Sequence, residues 1–249
     1  MKEQRVAVIT GGTKGIGKAI ARRLAQDGCD VILNYRSDAE AARVALREFD
    51  GLPGKAVAIK ADVSVAADAA GLIEMSVDRF GRLDILVNNV GPFLIRPLVE
   101  MSDEDWRSIL ESNLSSAFYC TRAALRVMRD RRAGNIVNIG ALNVEHSPVG
   151  VFDAPAYYIA KAGVVMLTRT LAQSEARFNI RINAVSPGFI ETEAYRDYRD
   201  EHKEAWARMI PLGRLGTPDD VAEAVSFLVS DRARYVTGAV LHVHGGLWV

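Results

Sequence analysis

The chain has 249 residues, 49% hydrophobic and 25% charged, with 31 Lys and Arg against 31 Asp and Glu. That is enough apolar material for a large core in one open α/β unit, and the balanced charge argues against a basic face for nucleic acid or an anionic membrane. MKEQ runs straight into an apolar strand without a long h-region, and no run of about 18 apolar residues follows, so a cytoplasmic protein with no membrane association is expected.

The elements alternate along the chain. RVAVIT (5–10) leads into a helical pattern with Ile16, Ile20 and Leu24 on one face, and CDVILNY (29–35) leads into SDAEAARVALREF. AVAIKAD (56–62) precedes a helical stretch ending near Phe80, and LDILVNN (83–89) precedes a long helical region from about 103 to 131. NIVNIG (135–140) precedes the helix of YYIAKAGVVMLTRTLAQSEA, after which IRINAVSPG (180–188) and GAVLHVHGG (238–246) complete the strands. The strands are continuously apolar, as strands covered on both faces should be. The expectation is α/β: one doubly wound domain over 1–249, a parallel sheet of about seven strands with helices on both faces. Ser37 before Glu40 and Ser102 before Asp105 suit capping boxes. Residues 189–217, charged, aromatic and interrupted by Pro211 and Gly213, follow a strand end and suit a lid. Cys29 and Cys120 match no metal or redox spacing and read as free buried thiols.

TGGTKGIG (10–17) lies between the first strand and the first helix. Gly11 permits a sharp turn. Gly15 and Gly17 remove side chains where backbone must approach a phosphate and where helix meets sheet, and the helix N-terminus then faces a pyrophosphate. The spacing is G-x3-G-x-G, and its place between strand and helix is what gives it weight. An NAD site ordinarily puts an acidic residue at the end of the second strand. Here Asn34, Tyr35 and Arg36 stand there, and Asp38 suits a helix cap better. Arg36 and Lys14 would neutralise a 2′-phosphate, so NADP(H) is expected over NAD(H).

Together these features resemble the short-chain dehydrogenase/reductase family over the whole chain. TGGTKGIG is similar to the family's TGxxxGxG, ADV with Asp62 to its adenine-contacting turn, and NNVG (88–91) to NNAG with Val90 for Ala. Asn113 in ESNLSSAF stands at the family's catalytic asparagine, Tyr157 and Lys161 form YxxxK, and SPGFIET (186–192) resembles the PG-x-x-x-T segment beside the nicotinamide. RLGTPDDVA and YVTGAVLHVHGG resemble the family's C-terminal stretches. The resemblance implies a Rossmann-type fold and dinucleotide contacts at Gly11, Thr13, Lys14, Gly15, Ile16, Gly17, Arg36, Asp62, Val63, Asn89, Gly91, Tyr157, Lys161, Pro187, Gly188, Ile190 and Thr192. It also implies a homotetramer.

A spacing of four puts Tyr157 and Lys161 on one helical face. A free phenol titrates near ~10, and a neighbouring ammonium with a positive nicotinamide ring favours its phenolate. In reduction Tyr157 would protonate the carbonyl oxygen while hydride reaches the carbon; oxidation reverses both. By resemblance Lys161 also holds the nicotinamide ribose, and Asn113 anchors a water-mediated proton path. Tyr158, three residues from Lys161, is the rival to Tyr157.

The family's serine falls at Ala141, and the segment from there to Tyr157 is about three residues longer than the family's. Asn143 and Ser147 are the substrate-contacting replacements considered first, with His146 beside them. Pteridine reductases resemble the family and also lack the serine, but carry an aspartate that this chain lacks. A second departure is His244, where the family commonly has Asp.

The general look is that of 3-oxoacyl-carrier-protein reductases, through NYRS, NNVG and RLGTPDDVA. That implies two arginines facing an acidic acyl carrier protein. Arg132 matches one, but Gln173 stands at the other, which weakens the carrier reading; Arg126, Arg129, Arg131 and Arg132 also suit a basic helix C-terminus. Pro92, Phe93, Leu94, Ile190, Tyr195, Tyr198 and Trp206 would form an apolar pocket and lid for a hydrophobic small-molecule carbonyl. A carbonyl reductase and a catalytically degenerate NADP-binding protein both stay open, as does a pterin-like substrate.

Overall fold

The computed structural model describes residues 4–142, 144, 153–193 and 200–247. Seven parallel strands form one sheet: β1 (Val6–Ile9), β2 (Asp30–Tyr35), β3 (Ala56–Lys60), β4 (Ile85–Asn88), β5 (Gly134–Ile139), β6 (Ile180–Pro187) and β7 (Val240–Val243). Their order is β3-β2-β1-β4-β5-β6-β7. The winding reverses between β1 and β4, which opens a crevice beyond the carboxyl ends of those strands. The helices are α1 (Gly15–Gln26), α2 (Ala39–Arg47), α3 (Ala66–Phe80), α4 (Asp103–Leu110), α5 (Ser116–Arg131), α6 (Pro155–Glu175), α7 (Asp200–Met209) and α8 (Pro218–Val229). None among the described residues is long and apolar enough to cross a membrane.

Strand residues alternate between two cores. Ala7 and Ile9 join Ile20 and Leu24 of α1 and Val221 and Val225 of α8 on one face. Val6 and Val8 join Leu72 and Ile73 of α3 and Cys120, Ala124 and Met128 of α5 on the other. Both faces are covered, which is why the strands read as unbroken apolar runs. Burial pushes the Cys120 thiol up to about 12, as expected of an inert core thiol.

Two details differ from the sequence expectation. The region 103–131 is not one helix: a π turn, Glu111–Ser115, separates α4 from α5. At α2 the cap is Asp38, whose side chain accepts the Ala41 N–H at 2.8 Å, and Glu40 pairs with Arg43 rather than closing a box with Ser37. The Ser102–Asp105 capping box is present at α4.

Beneath the crevice, a buried polar chain crosses the sheet. Asn88 and Asn138 are register partners on β4 and β5. Asn88 Nδ2 donates to Thr121 Oγ1 of α5 at 2.9 Å and to Asn138 Oδ1 at 2.7 Å, and Asn138 Nδ2 donates to Thr168 Oγ1 of α6 at 2.8 Å. The two helices that flank the crevice are thereby tied to adjacent strand ends. At the opposite, amino edge of the sheet, Arg129 of α5 grips the buried Glu175 of α6 with paired 2.7 Å bonds, which hold that carboxyl below its usual range.

Residues 189–193 and 200–217 return to the body. Ile190 bridges Gly216, and Trp206 of α7 stacks on Phe189 at 5.5 Å in a small core with Ile210 and Leu247. Ile190, 4% exposed, belongs to the main core. Trp206 therefore anchors the segment, and Ile190 packs on the core while also lining a surface pocket with Phe189, Ile210 and His244; Tyr195 and Tyr198 lie outside the described residues. Asn138→Ala would leave the Asn88 amide with Thr121 alone and cut the tie to Thr168, loosening α6. It should cost about 2 kcal/mol, read as a lowered urea midpoint with an unchanged m-value.

Candidate active site

The glycine loop is held by close contacts. Gly11 has φ +61° and Gly15 φ +51°, in the left-handed region that favours glycine. A Cβ on Gly17 would lie 2.3 Å from the Gly11 carbonyl oxygen and 2.6 Å from Asn89 Nδ2, so α1 meets the loop backbone to backbone. Asn89 donates its N–H to Thr10 Oγ1 at 2.9 Å and its Nδ2 to the Thr10 carbonyl at 3.0 Å, tying β4 to the loop. The N-cap of α1 is Lys14, extended at φ −152°, and no side chain caps the first-turn amides. The cradle thus offers backbone donors and space that a side chain would fill, which fits a pyrophosphate.

The other expected cofactor residues surround that loop to differing degrees. Arg36 and Lys14 are exposed beside it, while Asp38 is committed to the α2 cap. Asp62 Oδ1 accepts from the Ser64 N–H at 3.1 Å and from the Ser64 hydroxyl at 2.6 Å, which shapes the turn after β3. Val63 is buried and Ile16 packs on the core, so their side chains are structural, leaving backbone to face a ligand. Thr13 sits half-buried in the loop. Thr192 closes over the loop from β6: its Cγ2 lies 3.6 Å from where a Gly15 Cβ would be. Pro187 is buried, and Gly188 lies against the last strand, where a Cβ would meet His244 Cβ at 2.7 Å. His244 therefore packs under the β6 exit, and its burial lowers its pKa.

A second group gathers at the ends of β4 and β5. The π turn carries Asn113, 1% exposed, whose Nδ2 donates to the Pro92 carbonyl at 3.1 Å and the Ile109 carbonyl at 3.0 Å. Its Oδ1 is buried with no hydrogen-bond partner. Lys161, 3% exposed, donates to the Ile139 carbonyl at 2.9 Å, and burial lowers its pKa to about 8. Gly91 lies between them: a Cβ there would stand 2.5 Å from Asn113 Oδ1 and 2.6 Å from Lys161 Nζ. Lys161 Nζ is 5.8 Å from the centre of the Tyr157 ring, and Phe93 meets that ring edge-on at 4.7 Å. Tyr158 lies beyond, 5.6 Å from Tyr157 ring to ring. The arrangement places a phenol near a buried cation, with an unpaired amide oxygen behind it, able to receive a water.

Ala141 is 5% exposed and brings no polar group to the β5 exit. Asn143 and Ser147, like His146, lie outside the described residues. Two features escape the sequence pattern. The π turn has no marker in ESNLS, and the bond from the Gly11 N–H to Asn34 Oδ1, 3.3 Å, arises only when β2 packs beside β1. Arg132 Nη2 donates to the Arg177 carbonyl at 2.9 Å, and Gln173 is exposed nearby on α6.

A doubly wound sheet with a glycine loop at its switch point and a Tyr–Lys–Asn group beside it defines a dinucleotide-fold oxidoreductase acting on carbonyl or alcohol groups. The family model described as Enoyl-(Acyl carrier protein) reductase matches residues 11–248. The chain belongs to that family, within the short-chain dehydrogenases/reductases. It is 37% identical to the 3-oxoacyl-[acyl-carrier-protein] reductase FabG of Staphylococcus aureus (strain Mu50) over 252 residues, covering 100% of both chains. It is 39% identical to the Vibrio cholerae protein of the same name, covering 99% of this chain and 98% of that one. A double-mutant form of a Serratia marcescens short-chain dehydrogenase/reductase superposes with TM-score 0.91 at 35% identity, covering 98% of each chain.

Two outcomes follow from this geometry. Gly91→Ala would push Asn113 and Lys161 apart; activity should fall about 100-fold while circular dichroism stays native, since misplacement of about 1 Å suffices. The Lys161 ammonium is disfavoured by folding, so the unfolded chain binds more protons between pH 8 and 10.5 and wild-type stability rises across that window. Lys161→Met lacks this rise, so the wild-type minus Lys161→Met difference in Tm should increase from pH 7 to pH 10.

Proposed function

We propose that this chain is an NADP(H)-dependent reductase of an apolar ketone, resembling a 3-oxoacyl-carrier-protein reductase, with Tyr157, Lys161 and Asn113 as its catalytic group. The observation that carries this is the junction at Gly91, where a buried ammonium and an unpaired amide oxygen meet beside Tyr157 and next to the glycine loop. A bound nicotinamide dinucleotide supplies the hydride. Tyr157 gives its proton to the carbonyl oxygen, and the Lys161 ammonium stabilises the phenolate left behind. Asn113 Oδ1 holds a water through which the proton is replaced. Tyr157 is preferred to Tyr158 because its ring is the one set against both Lys161 and Phe93.

The preference for NADP(H) is supported by Arg36 and Lys14 at the adenosine side and by the diversion of Asp38 into a helix cap. The apolar substrate is supported by Phe93, Ile95 and Leu98, exposed by 44%, 46% and 64% on the segment after β4. An acyl carrier protein is the weaker partner reading, since Arg132 is engaged with the Arg177 carbonyl and Gln173 replaces a second arginine. The contacts of Asn143 and Ser147 with substrate, a lid at 189–217 and a cytoplasmic location complete the proposal. A homotetramer is supported by Phe118 of α5 and Met166 of α6, exposed by 42% and 60%, and light scattering tests it.

The test is NADPH oxidation across acetoacetyl thioesters, diketones and pterins. Turnover of a thioester or diketone, lost at least 100-fold or so in Tyr157→Phe but not in Tyr158→Phe, is the expected result. Cofactor binding without turnover on any substrate would show the degenerate alternative to be right. Arg36→Ala should lower kcat/KM for NADPH about tenfold and leave that for NADH unchanged. Ala141→Ser should raise kcat, by up to about 100-fold if the hydroxyl faces the substrate oxygen.

A further inference from the structure

A single dinucleotide can lie across the glycine loop and the turn after β3 only if those two segments hold a set separation. One buried side chain spans them. Asn34, 1% exposed, accepts the Gly11 N–H on Oδ1 at 3.3 Å and donates Nδ2 to the Ala61 carbonyl at 3.0 Å. The Tyr35 and Ile59 carbonyls lie at 3.4 Å from the same nitrogen. The Asn34 backbone carbonyl accepts the Gly12 N–H at 2.9 Å. Flipping the amide would set Nδ2 against a donor and Oδ1 against carbonyls, so the partners dictate its orientation.

On the opposite side Asn89 Nδ2 donates to the Gly11 carbonyl at 3.3 Å. Gly11, at φ +61°, is thus held through its N–H from β2 and through its C=O from β4. Gly12 has no room to shift toward β2, because a Cβ there would already be 3.0 Å from Leu33 Cα. The loop can move away from β2 only by breaking the bonds to Asn34.

We infer that Asn34 is a positioning residue for the dinucleotide, locking the phosphate-binding loop at Gly11 and Gly12 to the adenine-side turn at Ala61. It is buried away from the ligand and acts through those three residues. Its loss lets the two segments drift, so the ligand must order them on binding. The inference rests on the dinucleotide reading above, deepens it, and can fail separately from it.

The test titrates NADPH and NADH into wild type, Asn34→Ala and Asn34→Asp by intrinsic fluorescence, with a thermal melt for each. In Asn34→Ala the Kd should rise about tenfold, by the same factor for both cofactors, because the clasp sets the loop and not the 2′-phosphate site. Asn34→Asp keeps an acceptor for Gly11 but turns a second acceptor toward Ala61, so it should bind both cofactors more weakly, NADPH most. If folded Asn34→Ala binds both cofactors within twofold of wild type, the inference falls and the dinucleotide reading stands. A loss confined to NADPH also overturns it, since residue 34 would then act at the 2′-phosphate. Wild type that binds neither cofactor overturns both. If neither variant folds, hydrogen exchange on wild type with inorganic pyrophosphate decides. Slowing at 11–12 accompanied by slowing at 59–61 supports the inference; slowing confined to the loop, or none, overturns it.

Discussion

A lysine ammonium is buried at the end of β5, and much of the surrounding structure accommodates it. Among the described residues Lys161 donates to one acceptor, the Ile139 carbonyl at the last residue of the strand. Lys161 and Asn113 leave no space for a side chain at residue 91, so the chain passes there as glycine. The π turn rotates Asn113 inward, and the Pro92 and Ile109 carbonyls aim its amide so that Oδ1 faces the same spot. π turns recur where a helix must present one side chain off its regular stripe. The polar chain Thr121–Asn88–Asn138–Thr168 then keeps α5 and α6, which bear these groups, at a defined spacing over β4 and β5.

The glycine loop obeys the converse constraint: it is defined by what is missing. Gly17 admits the Gly11 carbonyl at a distance no Cβ would tolerate, and Gly188 admits His244 in the same way. Asparagines at the ends of β2 and β4 take up the loop's backbone groups, so the remaining amides point outward from the start of α1. Asparagine suits this because one short side chain both accepts and donates. An aspartate at residue 34 would have to face the Ala61 carbonyl with an oxygen, and a leucine would leave the Gly11 N–H without a partner.

What could be read beforehand follows from which features are local. Alternating apolar runs gave seven parallel strands, because burial on both faces imposes that pattern on each strand separately. Tyr157 and Lys161 were legible because a spacing of four on a helix is a local relation. The break at Glu111–Ser115 was not, since ESNLS has ordinary helical composition and the bulge exists to satisfy contacts with Pro92 and Gly91, distant in sequence. Trp206 was read as lining a pocket, yet it stacks on Phe189; apolar residues alone do not reveal whether a segment covers a cavity or plugs into the core. Ser37 and Asp38 are both cap candidates at α2, and it is Asp38 that accepts the Ala41 N–H.

The absent hydroxyl at Ala141 bears on whether the site is active or only inherited. Losing one donor to a developing oxyanion costs on the order of 3 kcal/mol of transition-state stabilisation, which slows a reaction without abolishing it. Against this stands what the fold gives up to keep the rest. A lysine lowered from 10.5 to about 8 destabilises the folded chain by about 3 kcal/mol at neutral pH, and the unpaired Asn113 oxygen adds to that. A protein that only bound a dinucleotide could keep Lys161 for the ribose, but it would have no use for the unpaired Asn113 oxygen set beside it. Groups held at a cost to folding are placed where ligand or chemistry returns the energy. The pairing of a desolvated ammonium with an empty acceptor therefore favours a working site whose substrate oxygen draws less on residue 141 and more on Tyr157.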